Sequence, residues 1–222
     1  MIAVPHHVIA IDGPAASGKS SVARELARRL GYLYVNSGAM YRAFTWLVLE
    51  KKIAPDDETT VIDLLDKVNF DCGIEAREST IHIDGIDPTP HLCDRDVNRF
   101  VSTIAGIAKV RHFLVEKQRR FALEDDVVME GRDIGSVVFP DTPYKFYIDA
   151  SPEVRVRRRA EQGMRDEIAA RDRFDSSRKA SPLVIAEDAH VIDSSHLTID
   201  GVVGEIIGRL KLKGLPIRGD AR

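Results

Sequence analysis

The chain has 222 residues, which is enough to bury one substantial core, and it is expected to form one domain with small insertions. Apolar residues make up 44% and charged residues 30%, with a formal charge of −3; this balance is ordinary for a soluble protein and excludes a strongly basic nucleic-acid coat protein. Any binding of phosphate groups must therefore come from a local cluster of residues.

The cysteines and the apolar patterning indicate the compartment. Cys72 and Cys93 are the two cysteines, they form no C-x-x-C pair, and two thiols are too few for a disulfide framework. Residues 1–8 lead into only a short apolar run, which does not resemble a signal peptide. No window approaches the ~18 apolar residues of a membrane span. We therefore expect a cytoplasmic protein without a membrane partner.

The first quarter of the chain predicts two pairs of strand and helix. Residues 8–11 form a short apolar run that ends in a Gly/Pro-rich loop, as expected of a buried parallel strand. From Ser20 apolar residues recur on one helical face, and Gly31 is expected to end that helix. A second strand is expected over 32–35 and a second helix over 40–50.

The middle of the chain changes character. Between residues 54 and 95 an acidic patch precedes alternating stretches around Gly73 and Gly85, which predicts an antiparallel insertion. Residues 96–123 return to a helical pattern in two pieces, and a last helix is expected over 202–210. Further short strands are expected at 127–129, 145–148 and 191–192. Alternating strands and helices imply an open, parallel α/β sheet that binds ligands at the carboxyl ends of its strands.

Residues 13–20 fit the phosphate-loop pattern G-x-x-x-x-G-K-[ST] between a predicted strand and a predicted helix. The loop N–H groups would hold phosphates, Lys19 would neutralise the β/γ oxygens, and the Ser20 hydroxyl would coordinate Mg²⁺. The alternative is a glycine-rich turn that opens an ordinary helix. No N-K-x-D guanine motif is present, which favours ATP over GTP. The predicted ATP-binding residues are Gly13, Pro14, Ala15, Ala16, Ser17, Gly18, Lys19, Ser20 and Ser21.

Two further segments follow predicted strands and carry arginines. Residues 36–42 follow the second strand and end in Arg42, and residues 130–133 follow a later strand and contain Arg132. Strand ends of a parallel sheet meet at one edge, so both guanidinium groups are expected to hold the phosphate of an acceptor. Taken alone, each arginine is better explained as a solvated surface residue, and it is their shared position at strand ends that favours a site.

These motifs together resemble the bacterial cytidylate kinases of the nucleoside monophosphate kinase group. The resemblance covers nearly the whole chain and is most specific from Gly131 to Pro140. It implies a P-loop kinase fold with a five-stranded parallel sheet flanked by helices, a small antiparallel insertion in the NMP-binding region and a short lid. The implied single domain has a core at 1–53 and 97–222, an insertion at about 54–96 and a lid at about 155–172.

The resemblance also implies roles for individual residues, and an Asp that accepts from the cytosine amino group is chemically sensible. The implied CMP-binding residues are Ser37, Arg42, Ser102, Arg111, Arg132, Asp133, Arg171, Asp175 and Arg178. Among these, the cytosine readers are Ser102, Arg111 and Asp133, the phosphate clamp is Arg42, Arg132 and Arg178, and the ribose contacts are Arg171 and Asp175. The implied catalytic residues are Lys19, Arg42, Arg132 and two lid arginines, Arg157 and Arg159.

The chain departs from the family pattern in two places. Its lid is shorter than in the longer members, and Asn36 stands where the family usually has Asp. The implied activity is Mg²⁺-dependent transfer of the γ-phosphoryl group of ATP to CMP and dCMP by a monomer that binds small nucleotides and no nucleic-acid polymer. The alternatives are a P-loop kinase for another small acceptor, such as UMP or shikimate, and a regulator that binds ATP.

A phosphate acceptor also predicts what the site should contain. The attacking oxygen is already anionic, so no side chain has to remove a proton, and catalysis would rest on cations and positioning. A kinase for a hydroxyl acceptor is instead expected to place an Asp base near the γ-phosphate. Asp133 would suit that alternative role.

Overall fold

The computed structural model describes residues 6–161, 172, 174–175 and 183–217. One seven-stranded sheet with helices on both faces accounts for most of them. The strands are β1 (Val8–Asp12), β2 (Leu33–Asn36), β3 (Phe70–Glu75), β4 (Glu78–Ile83), β5 (Val127–Gly131), β6 (Tyr144–Asp149) and β7 (His190–Asp193), in the order β3-β4-β2-β5-β1-β6-β7. In this part of the chain no helix is long and apolar enough to cross a membrane.

The helices are α1 (Lys19–Leu30), α2 (Ser37–Glu50), α3 (Glu58–Leu65), α4 (Arg95–Ile104), α5 (Ala108–Glu124), α6 (Pro152–Glu161) and α7 (Ile199–Leu212). A short 3₁₀ helix covers Thr89–His91, and a π-helix covers Ile134–Val138. The first helix matches the predicted one closely. It ends at Gly31, which has a φ of 70° and donates its N–H to the carbonyl of Ala27, and that left-handed geometry suits glycine.

Five adjacent strands, β2, β5, β1, β6 and β7, run parallel, which confirms the predicted parallel sheet. The central strands β1 and β5 are mostly apolar because both of their faces are covered, and their charged residues, Asp12 and Glu130, stand near the carboxyl ends. In β1, Val8 and Ala10 join one core cluster, whereas Ile9 and Ile11 join the other.

The two clusters lie on opposite faces of the sheet. One takes in α2, α4 and α5, with Phe44 fully buried, and the other takes in α1 and α7, with Leu26 and Ile206 fully buried. Burying one such side chain stabilises the fold by about 1.5–3 kcal/mol. The packing of both faces therefore fixes the sheet, and with it the strand ends that carry the predicted site.

The predicted insertion contains an antiparallel hairpin, β3 and β4, but this hairpin is part of the main sheet. β4 pairs in parallel with β2 through Tyr34 and Glu78. The turn residue Arg77 donates to the Asp125 carboxylate over 2.9 Å and to the carbonyl of Gly31 over 2.8 Å. These contacts tie the hairpin to the sheet edge and raise the strand number from five to seven. The division into core, insertion and lid stays a prediction.

Candidate active site

The carboxyl ends of three neighbouring strands bring the predicted segments together. β1 leads into the phosphate loop, β2 leads into α2, and β5 leads into residues 132–133. Because β2, β5 and β1 are adjacent in the sheet, the three segments meet at one cleft. Predicted site residues that line this cleft are Lys19, Ser20, Ser37, Arg42, Ser102, Arg111, Arg132, Asp133 and Asp175.

The phosphate loop depends on two glycines. Gly13 lies so close to the backbone oxygen of Ile148 that a Cβ atom has no room there, and Gly18 has a φ of 88°. Gly18 has no side chain to cap α1, so the first N–H groups of that helix stay available to an anion. Lys19 is buried and donates from Nζ to the carbonyl of Pro14 over 3.0 Å. The loop therefore keeps its lysine folded back over its own backbone.

A hydroxyl and a carboxylate lie together beside the loop. Ser20 donates from Oγ to Oε1 of Glu130 over 2.8 Å. Glu130 is only 3% exposed and comes from the end of β5. The sequence pattern identified Ser20, but Glu130 gains its place only through the pairing of β5 beside β1 and β2.

Arg111 and Asp133, both predicted to contact the acceptor, form a buried ion pair. The guanidinium group lies 5.3 Å from the centre of the Tyr41 ring and donates from Nη1 to the carbonyl of Ala105 over 3.2 Å. Within the described residues the Nε of Arg111 has no hydrogen-bond partner, although it is buried. An unmet buried donor in a cleft favours a ligand that brings an acceptor atom.

Arg132 lies at the centre of a second network. It donates from Nε to Oδ2 of Asp175 over 2.9 Å and from Nη1 to the carbonyl of Gly13 over 2.7 Å. Ser102 donates from Oγ to Oδ1 of the same Asp175 over 3.0 Å. The structure thus brings a predicted phosphate clamp, a predicted ribose contact and a predicted cytosine reader into one chain of hydrogen bonds.

Positive charge accumulates between the two halves of the cleft. Burial lowers the pKa of Arg42 from its ordinary value, the nearby Glu130 carboxylate opposes this shift, and the charges of Arg132 and Arg159 add to it. A second cavity shares Lys19, Ser20, Arg42 and Arg132 with the first and adds Arg159. Guanidinium groups that converge in this way are well suited to a pair of phosphate chains.

The chain matches the family model for cytidylate kinase over residues 9–212. Three curated proteins of that name are similar to it along most of their length. One from Desulforamulus reducens is 45% identical over 213 residues (91% of this chain, 96% of the relative). One from Halalkalibacterium halodurans is 39% identical over 214 residues (91% and 96%), and one from a Geobacillus species is 41% identical over 210 residues (90% and 94%).

The chain belongs to the cytidylate kinase family. Family membership bears out the resemblance drawn from the motifs and makes the protein a nucleoside monophosphate kinase. Family membership alone does not assign a role to each residue, so the position of each side chain in the structure is considered as well.

The lid arginines of this cytidylate kinase family member are placed differently from the expectation. Arg159 lines the second cavity, beside the phosphate loop. The side chain of Arg157 is 68% exposed, and its Nε lies 4.0 Å from Oε1 of Glu161. The structure therefore does not bring Arg157 to the phosphate loop. Instead, Arg158 donates to the carbonyl of Ser17 over 3.2 Å. Arg155 donates to the carbonyl of Ala15 over 3.3 Å. Positions i, i+3 and i+4 share one helical face, so the spacing of 155, 158 and 159 was a usable signal.

Two predicted acceptor residues, Arg171 and Arg178, lie outside the described residues. Between them Asp172 is described: it accepts the N–H of Ala15 over 3.2 Å and pairs with Arg155. Asn36, the departure from the family pattern, caps α2 because its Oδ1 accepts the N–H of Ala39 over 3.0 Å. An amide oxygen serves a helix N-terminus as well as a carboxylate does, which gives this departure a local explanation.

Asp12, the last residue of β1, is a buried acidic residue that sequence reasoning did not single out. Its two oxygens accept the N–H groups of Ile134 and Gly135, each over 2.8 Å. Burial raises the pKa of Asp12 from 3.8 to about 7, the two N–H groups and Lys19 oppose this, and Asp133 adds to it.

The raised pKa predicts a pH-dependent stability. Between pH ~4 and ~7 the unfolded chain releases the Asp12 proton while the folded protein keeps it, so the free energy of unfolding falls as pH rises. Asp12→Asn removes this dependence. The stability of the wild type relative to the variant should therefore fall by up to about 4 kcal/mol across that window. Urea unfolding at several pH values measures it, and a constant difference would contradict the raised pKa.

Proposed function

We propose that this protein transfers the γ-phosphoryl group of ATP to CMP and dCMP, giving the diphosphates. The observation that carries the proposal is the single cleft in which the phosphate loop faces the Arg111–Asp133 pair across Arg132. One end of this cleft suits a nucleoside triphosphate, and the other suits a polar base with a phosphate attached. Membership of the cytidylate kinase family supports cytosine as that base.

The ATP side rests on the phosphate loop and on Mg²⁺. The Ser20 hydroxyl and the Glu130 carboxylate, 2.8 Å apart, are the hard oxygen donors that Mg²⁺ prefers. Mg²⁺ usually binds through one or two carboxylates together with substrate phosphates and water, so this pair fits the ion. Ser20 and Glu130 would hold it, and when bound it would neutralise charge on the transferring phosphates. Lys19 would add its own charge at the β/γ oxygens.

The acceptor side rests on complementarity to cytosine. The Asp133 carboxylate can accept from the exocyclic amino group, while Arg111 and Ser102 can donate to the ring's acceptor atoms. Uracil presents a carbonyl oxygen where cytosine has the amino group. That oxygen would face a carboxylate, and a buried group left unpaired in this way gives strong discrimination. The site therefore favours CMP and dCMP over UMP.

The chemistry we propose is positioning and neutralisation of charge. The acceptor oxygen is already anionic, so Asp133 reads the base and no general base is needed. Arg42, Arg132 and Arg159 would gather the negative charge of the two phosphate chains and hold the reacting atoms in line. We place the lid at about 155–172 and the NMP-binding insertion at about 54–96, and their closure would exclude water.

We infer further that the protein works as a monomer in the cytoplasm on small nucleotides, without a nucleic-acid polymer or a membrane. Its described cysteines, Cys72 and Cys93, are both free thiols, which fits a reducing compartment. The alternatives are a kinase for another small acceptor and a regulator that binds ATP. The first would need an acceptor other than CMP to accelerate ADP release, and the second would show no dependence on an acceptor.

An acceptor panel tests the proposal. ADP release is followed with a coupled assay in Mg·ATP, with CMP, dCMP, UMP, AMP, dTMP or shikimate as acceptor and a control without acceptor. We expect kcat/KM for CMP and dCMP to exceed that for each other acceptor by at least ~100-fold. Activity confined to another acceptor would remove the cytosine assignment, and equal ADP release with and without acceptor would remove the kinase assignment.

A further inference from the structure

The end of β1 holds the acceptor-reading turn as well as the phosphate loop. Asp12, the last residue of β1, is 5% exposed. Its Oδ1 accepts the N–H of Ile134 and its Oδ2 accepts the N–H of Gly135, each over 2.8 Å. These two residues directly follow Asp133, the carboxylate paired with Arg111. One side chain therefore fixes the backbone on the far side of the proposed base reader.

The next residue of the same strand end fixes the near side. The carbonyl of Gly13 accepts from Nη1 of Arg132 over 2.7 Å. Asp12 also lies beside Gly131 in the parallel pairing of β1 with β5. The segment 131–135 is thus held at its beginning by strand pairing, at Arg132 by a carbonyl, and at its end by the Asp12 carboxylate.

This turn has little room to move. A Cβ on Gly131 would lie 2.5 Å from Oγ of Ser37, and one on Gly135 would lie 3.1 Å from Cγ of Lys145 and 3.4 Å from Oδ2 of Asp12. Contacts this close mean that the backbone is packed on both sides. A displacement of residues 134–135 would therefore be passed on to Arg132 and Asp133.

We infer that Asp12 is a positioning residue that aligns Arg132 and Asp133 with the acceptor nucleotide through the backbone of residues 134–135. The inference rests on the proposed function and deepens it. Asp12 acts through the turn and has no direct contact with either substrate in this role. Displacing a positioned group by about 1 Å can lower a rate by about 100-fold, so the turn has to be held closely.

The choice of a carboxylate follows from the two N–H groups. A carboxylate offers two acceptor oxygens, whereas the amide of Asn offers one oxygen and two N–H donors. In Asp12→Asn one of the two backbone N–H groups would face another donor, and a buried donor without a partner is unfavourable. Asp12→Asn keeps the shape of the side chain, and besides this contact it removes the charge of the carboxylate near Lys19 and Asp133.

The test compares Asp12→Asn with the wild type at pH 8, where the carboxylate is ionised. We expect KM for CMP to rise about tenfold, KM for ATP to stay within about twofold, and the preference for CMP over UMP to fall. Ile206→Val is the matched control for a general loss of stability. Ile206 lies in α7, in the core cluster on the face of the sheet that α1 covers, and its replacement should change neither KM value nor the preference for CMP. Thermal unfolding of each variant is recorded alongside.

The outcomes separate this inference from the function on which it rests. A wild type without CMP-dependent ADP release would overturn both. An active wild type whose Asp12→Asn variant shows parallel changes in both KM values, or an unchanged preference for CMP, would overturn the positioning role alone. If Asp12→Asn does not fold, Asp12→Glu keeps the charge but lengthens the side chain by one methylene, so its oxygens no longer match the N–H groups of Ile134 and Gly135. It should raise KM for CMP in the same sense, and an unchanged value would overturn the inference.

Discussion

Replacing Lys19 with methionine is expected to lower kcat for CMP-dependent ADP release by about 10²–10³-fold, because a preorganised cation at the transferring phosphates is lost. Lys19 is buried at the junction of the two cavities, where it lines both. No other residue of the phosphate loop carries a positive charge. Methionine keeps the length and the apolar stem of the side chain, so the packing beneath the loop should persist.

The measurement is a steady-state comparison of kcat and of KM for ATP and CMP, with circular dichroism to establish that the variant is folded. Lys109→Met, at an exposed position of α5, removes the same charge away from the cleft and should leave kcat within about twofold. If Lys19→Met kept a kcat within tenfold of the wild type, Lys19 would have no central part in phosphoryl transfer.

Much of the fold could be predicted because its signals are local. The apolar run of β1 and the amphipathic pattern of α1, which ends at Gly31, can each be recognised from residues that are neighbours in the chain. The attachment of the hairpin could not be predicted in this way. It depends on Arg77 reaching Asp125, 48 residues away in the chain, and on one bridge between β2 and β4.

The same distinction applies to the site. Residues that sit in motifs, such as Lys19, Arg42 and Arg132, were found because a motif fixes their position next to a strand end. Glu130 and Asp12 acquire their partners only when β1 and β5 lie side by side. Sequence-based prediction therefore located the cleft and the segment 130–133 that enters it, but it did not give the partner of Glu130 and it missed Asp12.

Replacing Arg132 with alanine is expected to lower kcat/KM for CMP by about 10³-fold or more while KM for ATP changes by less than about threefold. The guanidinium group is held between Asp175 and the carbonyl of Gly13, so in the proposed reaction it would meet the acceptor phosphate without rearrangement. Its charge-assisted hydrogen bonds would strengthen as charge develops during transfer, and such interactions account for large shares of the rate in phosphoryl transfer.

Two controls make this result interpretable. Arg157→Ala removes an arginine of α6 that is 68% exposed and should leave both substrates' parameters within about twofold. Arg132→Lys keeps a charge beside Asp175 but loses the planar guanidinium group. Its kcat/KM for CMP should therefore lie between those of the wild type and the alanine variant. Comparing Arg132→Lys with Arg132→Ala separates the effect of the planar guanidinium group on kcat/KM from the effect of a positive charge beside Asp175.

Stability has to be measured with activity, because Arg132→Ala leaves the buried Asp175 carboxylate without this partner. Removing one member of a buried ion pair can lower the free energy of unfolding by about 3–5 kcal/mol, and a partly unfolded sample loses activity toward both substrates equally. Rates are therefore compared per folded molecule, at a temperature below the melting transition of each variant. If the loss were then equal for CMP and ATP, Arg132 would not belong to the acceptor side, and the division of the cleft into two ends would fail with it.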